Sequence, residues 1–223
     1  MKIIKLSAID STNSFLKELA QNSVLNNYTI AVTDEQNSGR GQMNSSWHSE
    51  PFKNLTFSIF TRFENLKIAQ QSYLNFVISL AVFDCLASMS VPDLTIKWPN
   101  DIMSGNKKIC GILVETTFKN QEIKNAVIGI GLNVNQEKFP SHIYNASSLK
   151  KILKKEFNLT DDDLVNLILS LNTFIKGLKE DYPQYRISFK ENIIKEEDEL
   201  EVEKVEIPKT MLINLNNEQE VVF

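Results

Sequence analysis

The hydrophobic positions of this chain change period several times, and each change predicts an element boundary. Residues 2–9 (KIIKLSAI) read as a first strand. DSTN (10–13) supplies a cap, and SFLKELAQ follows with apolar positions at Phe15, Leu16 and Leu19, a helical spacing. YTIAVTDEQ (28–36) is expected to be a strand with a polar end, NSGRGQMNSS (37–46) a loop, and the alternating NLTFSIFTRF (54–63) a strand. From Ile68 to Met89 the period turns helical, and QQSYLNFVISLAVFDCLA is apolar enough for a central, buried helix. LTIKW (94–98) predicts a short strand stopped at Pro99. A turn at Ser104-Gly105-Asn106 leads into KICGILVETTF, and KNQE turns the chain into AVIGIGLNVN (126–135), so these two strands form a hairpin. Residues 147–157 and 161–180 read as helices, the second with acidic residues at Asp161–Asp163 in its first turn.

After residue 181 the chain becomes charge-rich and irregular before a short apolar strand candidate, MLINL. The expected organisation is a domain over 1–180 and a short C-terminal β appendage over 181–223. Strands and helices mixed with hairpins predict an α+β class, with a mixed, largely antiparallel sheet packed on helices.

Composition narrows the function. Of 223 residues, 42% are hydrophobic and 23% charged, the balance of an ordinary globular chain. The net charge of −4 does not favour a nucleic-acid partner. No uninterrupted apolar run approaches the length of a membrane span and no secretory leader pattern stands at the N-terminus, so the expectation is a cytoplasmic protein. Cys85 and Cys110 lie in apolar surroundings and read as buried free thiols. His48 and His142 stand alone, as surface or loop residues.

One stretch breaks the local rules. KWPNDIMSGNKKICGILVE (97–115) has the apolar content of core strands yet carries lysines, an Asn and an Asp. Conflict of this kind marks functional sites. The chain has only 7 glycines, and six fall between residues 39 and 131, in GRG, at Gly105, in CG and in GIG. A glycine inside a strand marks a bulge, tight packing or the close approach of a ligand; three such motifs together point to one pocket. Trp47 and Trp98 adjoin polar motifs and are candidates for stacking on a planar ligand, or for core packing. Arg40 between two glycines, with Lys97, Lys107 and Lys108, could meet anionic groups. The bland alternatives are a plain turn for GRG, a snorkelling strand lysine for Lys97, a solvated strand end for Lys108, and ordinary turn residues for Asn100 and Asp101.

Taken together, DSTN (10–13), EQNSGRGQ (35–42), the Trp and Ser of SSWHS (45–49), KNLTFS (53–58), KWPND (97–101), KKICGILVE (107–115) and GIGLNVN (129–135) resemble the biotin protein ligases, over roughly residues 8 to 180. The resemblance implies a catalytic domain that forms biotinyl-5′-AMP from biotin and MgATP. It then passes biotin to a lysine of a biotin carboxyl carrier protein of acetyl-CoA carboxylase or a related carboxylase. It also implies roles. Arg40, Lys108 and Asp101 would serve the reaction, Asp101 orienting the incoming amine or the metal. Ser11, Thr12, Asn13, Gln36, Gly39, Gly111 and Leu113 would hold biotin. Arg40, Gly41, Gln42, Trp47, Lys97, Asn100 and Asn133 would hold the nucleotide. The chain departs from the family where GRG continues as Gln42-Met43-Asn44-Ser45 rather than with further basic residues, and where Phe52 stands at a position usually occupied by glycine. With DSTN beginning at residue 10, no DNA-binding domain is expected ahead of it. The rival readings are a lipoate or octanoate ligase or transferase of the same superfamily, a biotin binder without catalysis, and a biotin-responsive repressor.

Overall fold

The computed structural model describes residues 2–43, 45–158 and 193–194. The elements are β1 (Lys2–Ile9), α1 (Thr12–Asn22), β2 (Thr29–Gln36), β3 (Leu55–Lys67), a 3₁₀ turn (Ile68–Gln70), α2 (Gln71–Ser88), β4 (Leu94–Lys97), β5 (Asp101–Ser104), β6 (Lys107–Lys119), β7 (Glu122–Leu132), α3 (Leu149–Leu153) and β8 (Ile193–Ile194). The strands form one sheet in the order β1-β2-β3-β7-β6-β5-β4-β8. The β1–β2 and β4–β8 pairs are parallel and the remaining pairs are antiparallel. The class is α+β, as the sequence predicts. The helix expected over 161–180, the MLINL strand and the boundary near 181 lie outside the described residues.

The side-chain alternation of strands builds two unequal faces. On one face Ile30 and Val32 of β2, Phe57 and Ile59 of β3, Ile128 and Ile130 of β7, and Cys110 and Ile112 of β6 pack with Phe76, Val77, Ala81 and Val82 of α2 into the main core. The window Ile68–Ser88 has the length and hydropathy of a membrane span, with a mean hydropathy of 1.2. Here eight α2 residues are buried and the helix lies against the sheet, so the apolar run serves the core. On the other face a smaller cluster, Leu16, Leu25, Ala31, Phe60 and Val127, seats α1 over β2, β3 and β7. Ser11 caps α1, its Oγ accepting from the Ser14 amide at 3.3 Å.

Several expectations need correction. Asn100 and Asp101 were expected in one turn, but Asp101 opens β5, whose pairing with both β4 and β6 overrides the turn preference of its polar residues. Strand β3 runs on to Lys67 through an irregularity between Arg62 and Leu66, where Asn65 has φ 63°. The helix expected over 147–157 shortens to Leu149–Leu153, because Lys154 turns left-handed at φ 56°. Trp98 is no ligand platform: it stacks on Phe76 with centroids 4.6 Å apart and joins the core side. Phe52 is 66% exposed and adopts φ 61°, a backbone conformation that explains why glycine suits this position.

Candidate functional site

The register of the second face explains the glycines. Ala31, Ser58, Gly129 and Leu113 form one row across β2, β3, β7 and β6. Thr56, Gly131, Gly111 and Asp101 form the next row, across β3, β7, β6 and β5. Each row carries glycine where a side chain would otherwise stand, so the floor of this face is sunken. A Cβ on Gly129 would sit 2.4 Å from Asn13 Oδ1. A Cβ on Gly131 would sit 2.4 Å from Trp47 Cε2, and one on Gly111 would lie 2.9 Å from Trp47 Cζ3 and 3.2 Å from Lys108 Cε. The strand glycines therefore admit Asn13 and Trp47, two of this chain's own side chains, close to the sheet.

Around this floor lies a cleft of about 180 Å³. One end is neutral and hydrogen-bonding. Gln36 Oε1 accepts from the Thr12 amide at 3.0 Å, Thr12 Oγ1 lies 2.7 Å from Ser58 Oγ, and Ser58 Oγ donates to Asn13 Oδ1. The single Ser58 proton is thus committed to Asn13, so the Thr12 hydroxyl is the donor to Ser58. Ser11, Thr12, Asn13 and Ser58 are all buried, and these bonds remove the desolvation cost of holding hydroxyls and an amide there.

The other end is cationic. Lys108 Nζ pairs with Asp101 Oδ1 at 2.6 Å and lies 5.6 Å from the centroid of the Trp47 ring. Its backbone is pinned on both sides, the amide donating to Asn145 O at 2.7 Å and the carbonyl accepting from Ser147 N at 2.9 Å. The 37–46 loop folds over as a tight turn, in which the Gly41 amide donates to Ser45 O at 2.7 Å. Gly39 O accepts from the Trp47 amide at 2.9 Å, which carries the indole to the cleft. Trp47 Nε1 is buried against Gly131 without a protein partner among the described residues. Asn100 ties the KWPND turn to β6 reciprocally: its Nδ2 donates to Ile112 O at 2.7 Å and its carbonyl accepts from Ile112 N at 3.0 Å.

Ser11, Thr12, Asn13, Gln36, Arg40, Gly41, Gln42, Trp47, Asn100, Asp101, Lys108, Gly111 and Leu113 all line this one cleft. Three candidates do not line it. Gly39 lies under Trp47, where a Cβ would meet the Trp47 carbonyl oxygen at 2.3 Å. Lys97 sits on β4, in register with Asp101. Asn133 is buried and turned to the segment before α3, its Nδ2 donating to Ser147 O at 3.0 Å. Thr56 and Ser58 on β3 and Glu115 on β6 escaped the sequence reading. Only the strand register, projected across β3, β7 and β6, could have found them.

Neither thiol takes part. Both are free thiols, Cys110 buried as expected and Cys85 only half-buried; burial pushes Cys110 well above the ordinary thiol range and Cys85 up to about 11. His48 and His142 are exposed. Among the described residues no three His, Cys, Asp or Glu side chains gather to hold a metal, and Asp101 is already engaged by Lys108.

Residues 6–133 match the Biotin/lipoate A/B protein ligase family, and the chain belongs to it. It is 33% identical over 152 residues to the bifunctional ligase/repressor BirA of Bacillus spizizenii, covering 67% of this chain and 46% of that one. It is 32% identical over 131 residues to the biotin–[acetyl-CoA-carboxylase] ligase of Paracoccus denitrificans, covering 58% of this chain and 53% of that one. The chain spans about half the length of these relatives. In structure it is similar to the Aquifex aeolicus biotin protein ligase in complex with biotin and ATP, with a TM-score of 0.66 and 29% identity, covering 81% of this chain and 72% of that one.

Proposed function

We propose that this chain is a biotin protein ligase, joining biotin to a lysine of a carrier domain by way of biotinyl-5′-AMP. The observation that carries the reading is the polarity of the cleft. Uncharged donors and acceptors from Thr12, Asn13 and Gln36 gather by the Gly129 row and Lys108 stands by the Gly111 row, while Arg40 reaches in beside Asn13 through Glu115. Biotin has the same asymmetry, with a neutral ureido ring at one end and a carboxylate at the other. The family membership and the relatives' names support the same substrate.

The chemistry asks for that cationic end. In the first step the biotin carboxylate oxygen attacks the α-phosphorus of ATP and pyrophosphate leaves, so anion approaches anion. Lys108 and Arg40 stabilise the negative charge that accumulates on the carboxylate and phosphate oxygens. Trp47 covers the floor and keeps water from the mixed anhydride. In the second step the carrier's lysine amine attacks the acyl carbon, an amide forms, and AMP leaves with the electron pair of the broken C–O bond. Asp101, beside Lys108, accepts a hydrogen bond from the incoming amine. Mg²⁺ would come with the nucleotide and supply further positive charge beside Arg40 and Lys108 as the phosphate is attacked.

The test is transfer. The purified chain, ATP, Mg²⁺ and a biotin carboxyl carrier domain should give a carrier heavier by one biotinyl group, lost when the target lysine is replaced. Transfer of lipoyl or octanoyl groups in preference to biotin would assign the chain to the other branch of its family.

A further inference from the structure

We infer that Glu115 is a positioning residue that ties Asn13 and Arg40 together from behind the cleft, orienting Arg40 for the nucleotide phosphate. The inference rests on the ligase reading given above. Glu115 closes the GILVE segment of β6, and strand alternation puts it on the same face as Gly111 and Leu113. Its Oε2 accepts from Asn13 Nδ2 at 2.9 Å and from Arg40 Nη2 at 2.7 Å, while Oε1 accepts from Lys17 Nζ at 2.8 Å. One carboxylate oxygen therefore joins the residue seated over Gly129 to the arginine of the GRG segment. Glu115 itself does not line the cleft, so it acts through its partners.

Arg40 needs such a partner. It stands on a loop whose neighbour Met43 is 96% exposed at φ 48°, and its own side chain is 42% exposed. A guanidinium left free here would sample many rotamers; one N–H fixed on Glu115 aims the remaining donors of the planar fork. Hydrogen bonds from Lys17, Asn13 and Arg40 outweigh the opposing effect of burial and hold the Glu115 carboxyl below its ordinary range, so it is ionised at neutral pH.

Glu115→Gln keeps an oxygen that can accept from both Asn13 and Arg40 but removes the charge, so the tie to the neutral Asn13 amide changes little and the charge-assisted tie to Arg40 is weakened. Biotin and ATP affinities would be measured by calorimetric titration for the wild type, Glu115→Gln, Arg40→Ala and the double variant, beside pyrophosphate exchange and a thermal melt. The expected result is ATP binding weakened about tenfold in Glu115→Gln, biotin binding changed by less than about twofold, and no further loss of ATP affinity when Glu115→Gln is added to Arg40→Ala. Equal weakening for both ligands, an additive loss in the double variant, or an unchanged ATP affinity would overturn the role. Lys17→Met distinguishes the third partner: an ATP effect as large as that of Glu115→Gln would move the role from Arg40 to Lys17. A wild type that binds biotin and ATP without exchange defeats the ligase reading and leaves this pattern of affinities to judge Glu115. A wild type that binds neither overturns both.

Discussion

Lys108 Nζ and Asp101 Oδ1 form a 2.6 Å ion pair, and through it the KWPND and KKICGILVE segments meet. KWPND ends in Asp101 and KKICGILVE begins two residues after Gly105, so the hairpin between β5 and β6 brings both to one edge of the glycine floor. The pair holds Lys108 at the cationic end of the cleft while leaving its ammonium able to exchange a carboxylate for a phosphate oxygen.

Replacing Lys108 with Met should therefore lower the adenylation rate by about 10²–10³, the scale for losing one preorganised donor at developing negative charge. Arginine at this position should recover little, because its planar fork cannot take the place of a compact ammonium between Asp101 and Trp47. Pyrophosphate exchange and a thermal melt together check the prediction, the melt showing that the protein remains folded.

Gly129→Ala should weaken biotin binding by tenfold or more, about 1.4 kcal/mol. The new methyl would meet Asn13 Oδ1 at 2.4 Å, and Asn13 cannot retreat easily, being held by both Ser58 and Glu115. Gly105→Ala is the contrast: nothing lies within 4 Å of its Cβ, but its φ of +55° makes the substitution a backbone cost borne by stability rather than by binding. Calorimetric titration with biotin separates the two.

A pH effect is expected from α2. Burial raises the Asp84 carboxyl from 3.8 to about 6. Its folded-state pKa lies above the unfolded one, so the folded form binds the extra proton. Stability is favoured below about pH 3.8 and falls as pH rises from there through 6. Asp84→Asn should therefore raise stability at pH 8 by about 1–2 kcal/mol, less than the full shift because the group is partly solvated, and have little effect below pH 4. Melting temperatures across that range decide it.

The sequence disclosed the site's vocabulary better than its grammar. DSTN, GRG, KWPND, the CG and GIG glycines and Lys108 were visible because each sets an unusual residue type against a strand or helix pattern. What joined them was not. The two glycine rows depend on register across four strands, which no local period encodes. Glu115 was given no role of its own within KKICGILVE, and its three partners lie on α1 and the GRG loop. Trp98 misled for the opposite reason. It borders a polar motif in sequence, yet it stacks on Phe76, while Asn133 donates to the Ser147 carbonyl and does not line the cleft.

The central claim is that this cleft activates biotin. Biotin-dependent exchange of labelled pyrophosphate into ATP, with Mg²⁺ and with lipoate and octanoate run beside it, tests that claim most directly. The account predicts exchange with biotin and little with the other two acids. A protein that binds biotin but exchanges with none of the three would contradict it.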